Sequence, residues 1–337
     1  VGGVVTTQSL TSAIGLEFAD EALETAVLAG LEAVEGELRS AVASADPFVT
    51  EAARHLVEAG GKRVRPMLTL LAAHFGDPEA PLVVPSAVVL ELTHLATLYH
   101  DDVMDEALVR RGAPSANSRW TNTVAILTGD YLFARAASIS AGLGVEAVRI
   151  QAETFARLVQ GQIRETTGPR EGADPVQHYL EVLGDKTGSL IATCARFGAM
   201  FGGAEQKVVE TITEFGEVFG VAFQLSDDLL DIASESEYSG KVPGTDLREG
   251  IATLPVLYAL DGPPSRLRDL LGKGALTDDA EHAEALGLLR SSQAMAQARA
   301  TLDEYATQAR ALLATLPDVP ARAALESMCD FVIARMG

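Results

Sequence analysis

Cysteine is nearly absent from this chain: Cys194 and Cys329 are the only two, and no CxxC pair exists. That excludes a disulfide framework and a cysteine-rich zinc site, and it leaves both thiols as reduced packing residues. Aromatic residues make up only 5% of the sequence, so Ala, Leu, Val and Gly must fill the core, which suits closely spaced helices. Positive charge is scarce too. The formal net charge is −21, which excludes the basic face that a nucleic-acid binder requires. No apolar run approaches the roughly 20 residues of a membrane span, and Val1 to Leu10 show no basic leader. A soluble, cytoplasmic protein is expected. GxxxxGK[ST], GxSxG and HExxH are all missing, so neither a P-loop enzyme nor a serine or zinc hydrolase has support.

What the sequence does have is helical periodicity, from Glu17 onward and without a convincing alternating strand. Gly and Pro punctuate it at Gly60-Gly61, Gly76 to Pro78, Arg111 to Pro114, Gly142 to Gly144, Gly168 to Pro175, Gly202-Gly203, Ser239 to Gly250 and Gly262 to Pro264. None of these breaks is long enough for a domain linker. The expectation is one all-α domain over residues 1–337, a large helical bundle, with residues 1–20 a poorly ordered leading segment.

Two DDxxD clusters end apolar helical runs: Asp101, Asp102 and Asp105, then Asp227, Asp228 and Asp231. The i,i+4 spacing puts Asp101 and Asp105 on one helix face, and Asp227 and Asp231 repeat it. Such carboxylates repel one another unless a cation offsets them, and hard oxygen donors suit magnesium shared with substrate phosphates. One cluster alone reads equally well as a solvated helix end. Two, each beside apolar residues, need partners, and together they would clamp metal ions around one diphosphate. Gln224 lies one turn before Asp227. His94 precedes Asp101 by two turns on the same stripe, whereas His100 is off it and reads as a packing residue.

Within so acidic a chain the cationic motifs are informative. Lys62, Arg63 and Arg65 follow Gly60-Gly61, and Pro66 is placed to open the next helix. Backbone amides there, with Lys62 and Arg65, would hold a diphosphate. Arg110-Arg111-Gly112 follows the first aspartate cluster by about one and a half turns, within reach of the same cavity. Lys186-Thr187-Gly188 and Gly240-Lys241 add two further lysines. The set suits two diphosphates, one held through metal and one directly.

These motifs, in this order and spacing and over nearly the whole chain after about residue 20, resemble the signature set of the trans-isoprenyl diphosphate synthases. The stretches Leu95 to Glu106 and Arg110 to Asn117 look especially like the nonaprenyl-type polyprenyl diphosphate synthases of actinobacteria. The resemblance implies that Lys62, Arg65, His94 and Arg111 hold isopentenyl diphosphate. It implies that Asp101, Asp105, Asp227 and Asp231 bind about three magnesium ions bridging the allylic diphosphate. Arg110, Lys186, Gln224 and Lys241 would contact that allylic diphosphate, with Thr187 near the reacting carbons. A homodimer is implied as well. The tail Ala334-Arg335-Met336-Gly337 is less basic than some tails of that family and receives no role.

The chemistry so implied is ionisation of a farnesyl or geranylgeranyl diphosphate primer and attack on the cation by the double bond of isopentenyl diphosphate. Released diphosphate takes the proton. Ser234 to Gly250, with Lys241, reads as a lid. Ala96 and Thr97, just before Asp101, are small where bulky side chains would block the growing chain, so a product of roughly 35–50 carbons is expected. Release of so apolar a product allows a transient membrane contact. Two alternatives stand: a class I terpene cyclase, and a non-catalytic subunit of a heteromeric synthase.

Overall fold

Helix α1 (Glu21–Ala41) shows how the sequence pattern becomes structure. Asp20 caps it, accepting a hydrogen bond from Leu23 N at 2.7 Å, and Leu23, Val27, Leu31, Val34 and Leu38 bury one stripe. The computed structural model describes residues 16, 18–234 and 243–335. The described chain is helical with almost no sheet, as its periodicity predicts. It divides into two compact units.

The first unit comprises residues up to 156 with 190–216 and 315–328. It holds α1, α2 (Pro47–Glu58), α3 (Val64–Ala73), α4 (Val83–Met104), α5 (Ala116–Arg119) and α6 (Asn122–Leu143). It also takes the first part of α7 (Val145–Thr167), most of α9 (Ser189–Phe201), the start of α10 (Gln206–Ala233) and most of α16 (Pro320–Ala334). Helix α4 is the centre. It packs on α1, α3 and α6, and every residue from Ser86 to Thr93 is buried, so its apolar side chains surround it rather than marking one face. Small residues bring helices together as the composition suggests. A Cβ on Gly198 of α9 would lie 2.0 Å from Thr69 O of α3, and one on Gly129 of α6 would lie 3.1 Å from Ala96 O of α4.

Two details depart from the sequence reading. Helix α3 begins at Val64 rather than Pro66, because Arg63 takes the N-cap position in a left-handed conformation (φ 48°). After α4 the chain does not continue helically. It forms a short antiparallel hairpin, β1 (Val109–Arg110) against β2 (Ala113–Pro114), around Arg111 (φ 55°) and Gly112 (φ 77°). Two successive positive φ angles are what a two-residue hairpin loop demands.

The second unit comprises 157–189, 217–314 and the residues from 329 on. It holds the rest of α7, α8 (Pro175–Leu183), a π-helical turn (Gly184–Gly188), the end of α10, and α11 (Thr245–Glu249). It continues through α12 (Leu254–Asp261), α13 (Arg266–Leu271), α14 (Asp279–Arg290) and α15 (Gln293–Leu313). Helix α12 packs on α8, α13, α14 and α15. Along α10, Phe219, Ala222, Leu225, Ser226, Leu229 and Ile232 are buried, which sets Asp227 and Asp231 on the less buried side. Cys194 and Cys329 are both free and buried. Among the described residues no helix is long and apolar enough to cross a membrane.

Candidate active site

In the first unit, the left-handed turn at Arg63 turns that guanidinium inward. Its NH1 donates to Glu91 Oε1 at 2.8 Å and its NH2 to Val57 O at 2.9 Å, and its Nε pairs with Glu35. Arg63 is thus a buried brace for the turn, whereas the adjacent Lys62 is exposed. Arg65 Nε is buried with no hydrogen-bond partner among the described residues, a cost that a bound anion would remove. The hairpin brings Arg111 onto the same turn, where its NH1 donates to Leu56 O at 3.3 Å and also to Gly60 O. Gly61 makes room for it. A Cβ there would sit 2.7 Å from Arg111 Cζ, and its φ of 135° already favours glycine.

His94 faces this group. Burial first, and then the charges of Arg65, Arg111, Arg63 and Arg110, hold its pKa well below the usual 6.5. The imidazole is therefore neutral, and what surrounds it is a concentrated positive field in a chain of net charge −21. Burial likewise lowers the pKa values of Arg65 and Arg111, an effect that nearby Glu91 opposes. This is the electrostatic signature of an anion site.

At the end of α4 the first aspartate cluster divides its labour. Asp102 is 0% exposed, and its Oδ1 accepts from Arg110 Nε at 2.6 Å; Asp105 is 61% exposed and lies 3.9 Å from Arg110 NH2. Arg110 therefore reaches the cluster through the hairpin, not as the next turn of a helix. Ala96, five residues before Asp101, is fully buried, and Thr97 Oγ1 donates to His94 O at 2.8 Å. His100 is a packing residue, donating from Nε2 to Ile126 O at 3.1 Å.

The second unit repeats the division. Asp228, part-buried, is the hydrogen-bonded member: Tyr179 donates its hydroxyl to Oδ2, and Gln224 Nε2 donates to Oδ1 at 2.9 Å. Burial raises the Asp228 pKa to about 6; the two hydrogen bonds oppose that rise, and Asp227 and Asp231 add to it. Asp227 is 40% exposed and pairs with Arg335 NH2 at 2.7 Å. Asp231 accepts from the backbone amides of Thr245 and Asp246, each at 3.2 Å, at the start of α11. In the π-helical turn, Thr187 Oγ1 donates to Gln224 Oε1 at 3.3 Å, and Lys186 Nζ pairs with Glu165 at 2.6 Å. Lys241, and the centre of the lid expected over Ser234 to Gly250, lie outside the described residues.

Each unit thus assembles its own predicted residues: Lys62, Arg65, His94, Arg110 and Arg111 with Asp101 and Asp105 in one, and Lys186, Thr187, Gln224, Asp227 and Asp231 in the other. Sequence reasoning missed Tyr179, Arg335 and the carboxylates Glu35 and Glu91. Among the described residues no three His, Cys, Asp or Glu side chains gather into a closed metal cage. Paired outer carboxylates on a helix face fit magnesium nonetheless, because that ion takes one or two carboxylates and completes its shell with phosphate and water.

A sequence model of the Polyprenyl synthetase family matches residues 46–289. The nonaprenyl diphosphate synthase of Mycobacterium tuberculosis is 53% identical, over 97% of this chain and 98% of that protein. The crystal structure of geranylgeranyl pyrophosphate synthase from Corynebacterium glutamicum, complexed with calcium and isoprenyl diphosphate, superposes with a TM-score of 0.86 at 44% identity, covering 95% of this chain and 99% of that one. A decaprenyl diphosphate synthase from Rhodobacter capsulatus gives the same TM-score at 35% identity, covering 94% and 99%. The fold is therefore the helical fold of the trans-prenyl synthases, and the chain belongs to the polyprenyl synthetase family.

Proposed function

We propose that this protein is a polyprenyl diphosphate synthase that condenses isopentenyl diphosphate head-to-tail with an allylic diphosphate, farnesyl or geranylgeranyl, to give an all-trans product of the nonaprenyl class. The observation that carries the reading is the positive field around His94 with the buried, unpartnered Arg65 Nε beside it. Lys62, Arg65, His94 and Arg111 hold isopentenyl diphosphate. Neutral His94 donates a hydrogen bond to it, and the arginines carry the opposing charge.

Asp101, Asp105, Asp227 and Asp231 hold magnesium, about three ions by the resemblance, and that metal supplies the charge that stabilises the departing diphosphate. The chain's own residues do the rest. Arg110 braces Asp102 and stays within reach of Asp105, so it holds the first cluster in place. Lys186 and Lys241 contact the allylic diphosphate. Gln224 serves it from a fixed position, with both ends of its amide engaged by Thr187 and Asp228. Thr187 lies beside the reacting carbons. Exposed Ile126 and Leu127, adjacent on α6, support a homodimer, since a second copy of the chain would take this apolar pair out of water.

The test is a product assay. Purified protein with magnesium, isopentenyl diphosphate and either primer should yield long prenyl diphosphates, sized by mass. Asp101→Ala should lower turnover by about a hundredfold or more at saturating magnesium. A cyclic hydrocarbon, or no elongation from any primer by folded protein, would overturn the reading.

A further inference from the structure

Arg335 follows α16 and reaches back onto α10. Its Nε donates to Ser226 Oγ at 2.6 Å, and its NH2 donates to Phe223 O at 3.3 Å and pairs with Asp227 Oδ1 at 2.7 Å. The guanidinium carbon lies 5.2 Å from the Phe223 ring centroid and 5.4 Å from that of Phe331. Ser226 Oγ itself donates to Val332 O at 2.8 Å, so the acceptor is fixed too. With its side chain 10% exposed, this is a locked cation and not a surface arginine that swings through solvent.

We propose that Arg335 is a positioning residue that keeps the bare-metal affinity of the second aspartate cluster low, so that metal and allylic diphosphate load together. The proposal rests on the reading of Asp227 as a metal ligand. A guanidinium bonded to Asp227 offsets much of the charge that carboxylate offers, and a divalent ion on Asp227 would lie within a few ångströms of a cation that cannot move away. The backbone amides of Thr245 and Asp246 draw on Asp231 in the same way. A diphosphate reverses the balance, because it brings several negative charges and oxygen ligands of its own. The same fork fixes the rotamer of Asp227, so the ligand oxygen is already oriented when the metal–diphosphate arrives.

The experiment is a Mn2+ titration of the full chain followed by electron paramagnetic resonance, without turnover, in the presence and absence of inorganic diphosphate. Arg335→Gln should bind Mn2+ alone on the order of tenfold more tightly than the unsubstituted protein. Its affinity with diphosphate present should change far less. Equal or weaker binding of bare Mn2+ by Arg335→Gln overturns the proposal. Arg335→Lys keeps the charge and should stay weak; tightening there also overturns it. Should Arg335→Gln fail to fold, Arg335→Met keeps the stem between the two rings and carries the same expectation. Asp227→Asn separates the two readings: if it binds Mn2+ with diphosphate as well as the parent does, Asp227 is not a ligand, whatever Arg335 does.

Discussion

Gln224 ties Thr187 to Asp228: its Oε1 accepts from the threonine hydroxyl at 3.3 Å, and its Nε2 donates to the aspartate at 2.9 Å. Tyr179 closes the chain from the other side of Asp228. One amide thereby couples the π-helical turn that carries Lys186 to the helix that carries the second aspartate cluster. The π-turn is itself a local insertion that re-aims side chains, a feature common at functional sites.

Tyr179→Phe removes one hydroxyl and leaves Asp228 with a single side-chain donor. The variant should lose on the order of 1 kcal/mol of stability, the net worth of one part-buried hydrogen bond, read from urea midpoints. It should also raise the magnesium concentration needed for half-maximal turnover, because the neighbouring Asp227 and Asp231 lose a fixed reference. A variant as stable as its parent, with unchanged magnesium dependence, would show the hydrogen bond to be incidental.

Arg65→Gln and Lys62→Ala should separate the two diphosphates. Each removes a charge-assisted contact, so KM for isopentenyl diphosphate should rise roughly ten- to a hundredfold while KM for the primer moves little. Arg65→Gln also removes a buried cation whose Nε has no partner among the described residues, so it should not destabilise the fold. Equal rises in both KM values would contradict the assignment.

Ala96→Phe should shorten the product. Ala96 is fully buried on α4, where its carbonyl approaches Gly129 of α6, so the larger ring has to enter either the packing or the path of the growing chain. Products sized by mass, from a variant whose melting temperature shows it folded, decide between them. An unchanged distribution removes Ala96 from the determinants of length.

The buried, neutral His94 makes stability pH-dependent. The unfolded chain takes up a proton on this residue near 6.5, and the folded chain does so only well below that. Between those two values the unfolded state binds more protons, so stability falls as pH drops below about 6.5 and is retained above it. Urea midpoints at about pH 5.5 and 7.5 should differ less for His94→Gln than for the parent. An identical pH dependence in both would place the titration elsewhere.

The aspartate clusters were legible in the sequence because i,i+4 spacing is a local property: two carboxylates one turn apart need no tertiary information to be paired. The positive cluster at Lys62 to Arg65 was legible for the same reason, as composition against an acidic background. The sequence placed Arg110 within reach of the first cluster by counting helical turns, whereas the hairpin is what brings it to Asp102. The residue pair Arg111-Gly112 marks a break without revealing that both residues take positive φ and fold the chain back. Nothing local distinguishes Arg63 from its cationic neighbours; its left-handed φ turns it toward Glu35 and Glu91, which lie on other helices. Tyr179 and Arg335 carried no local signal at all. Each acts on α10 from a distant segment, and such contacts follow from packing, not from periodicity.

The closeness of Gly61 to Arg111 has a consequence for how these residues should be thought of. The absent side chain of Gly61 is occupied space: the guanidinium fills it, and hydrogen-bonds the neighbouring Gly60 carbonyl from there. The glycine turn and the hairpin arginine therefore behave as a single mechanical part, and the energetic effects of altering them will not add. A site usually described as a collection of charges is, at this corner, held in register by a void shaped to receive one of them.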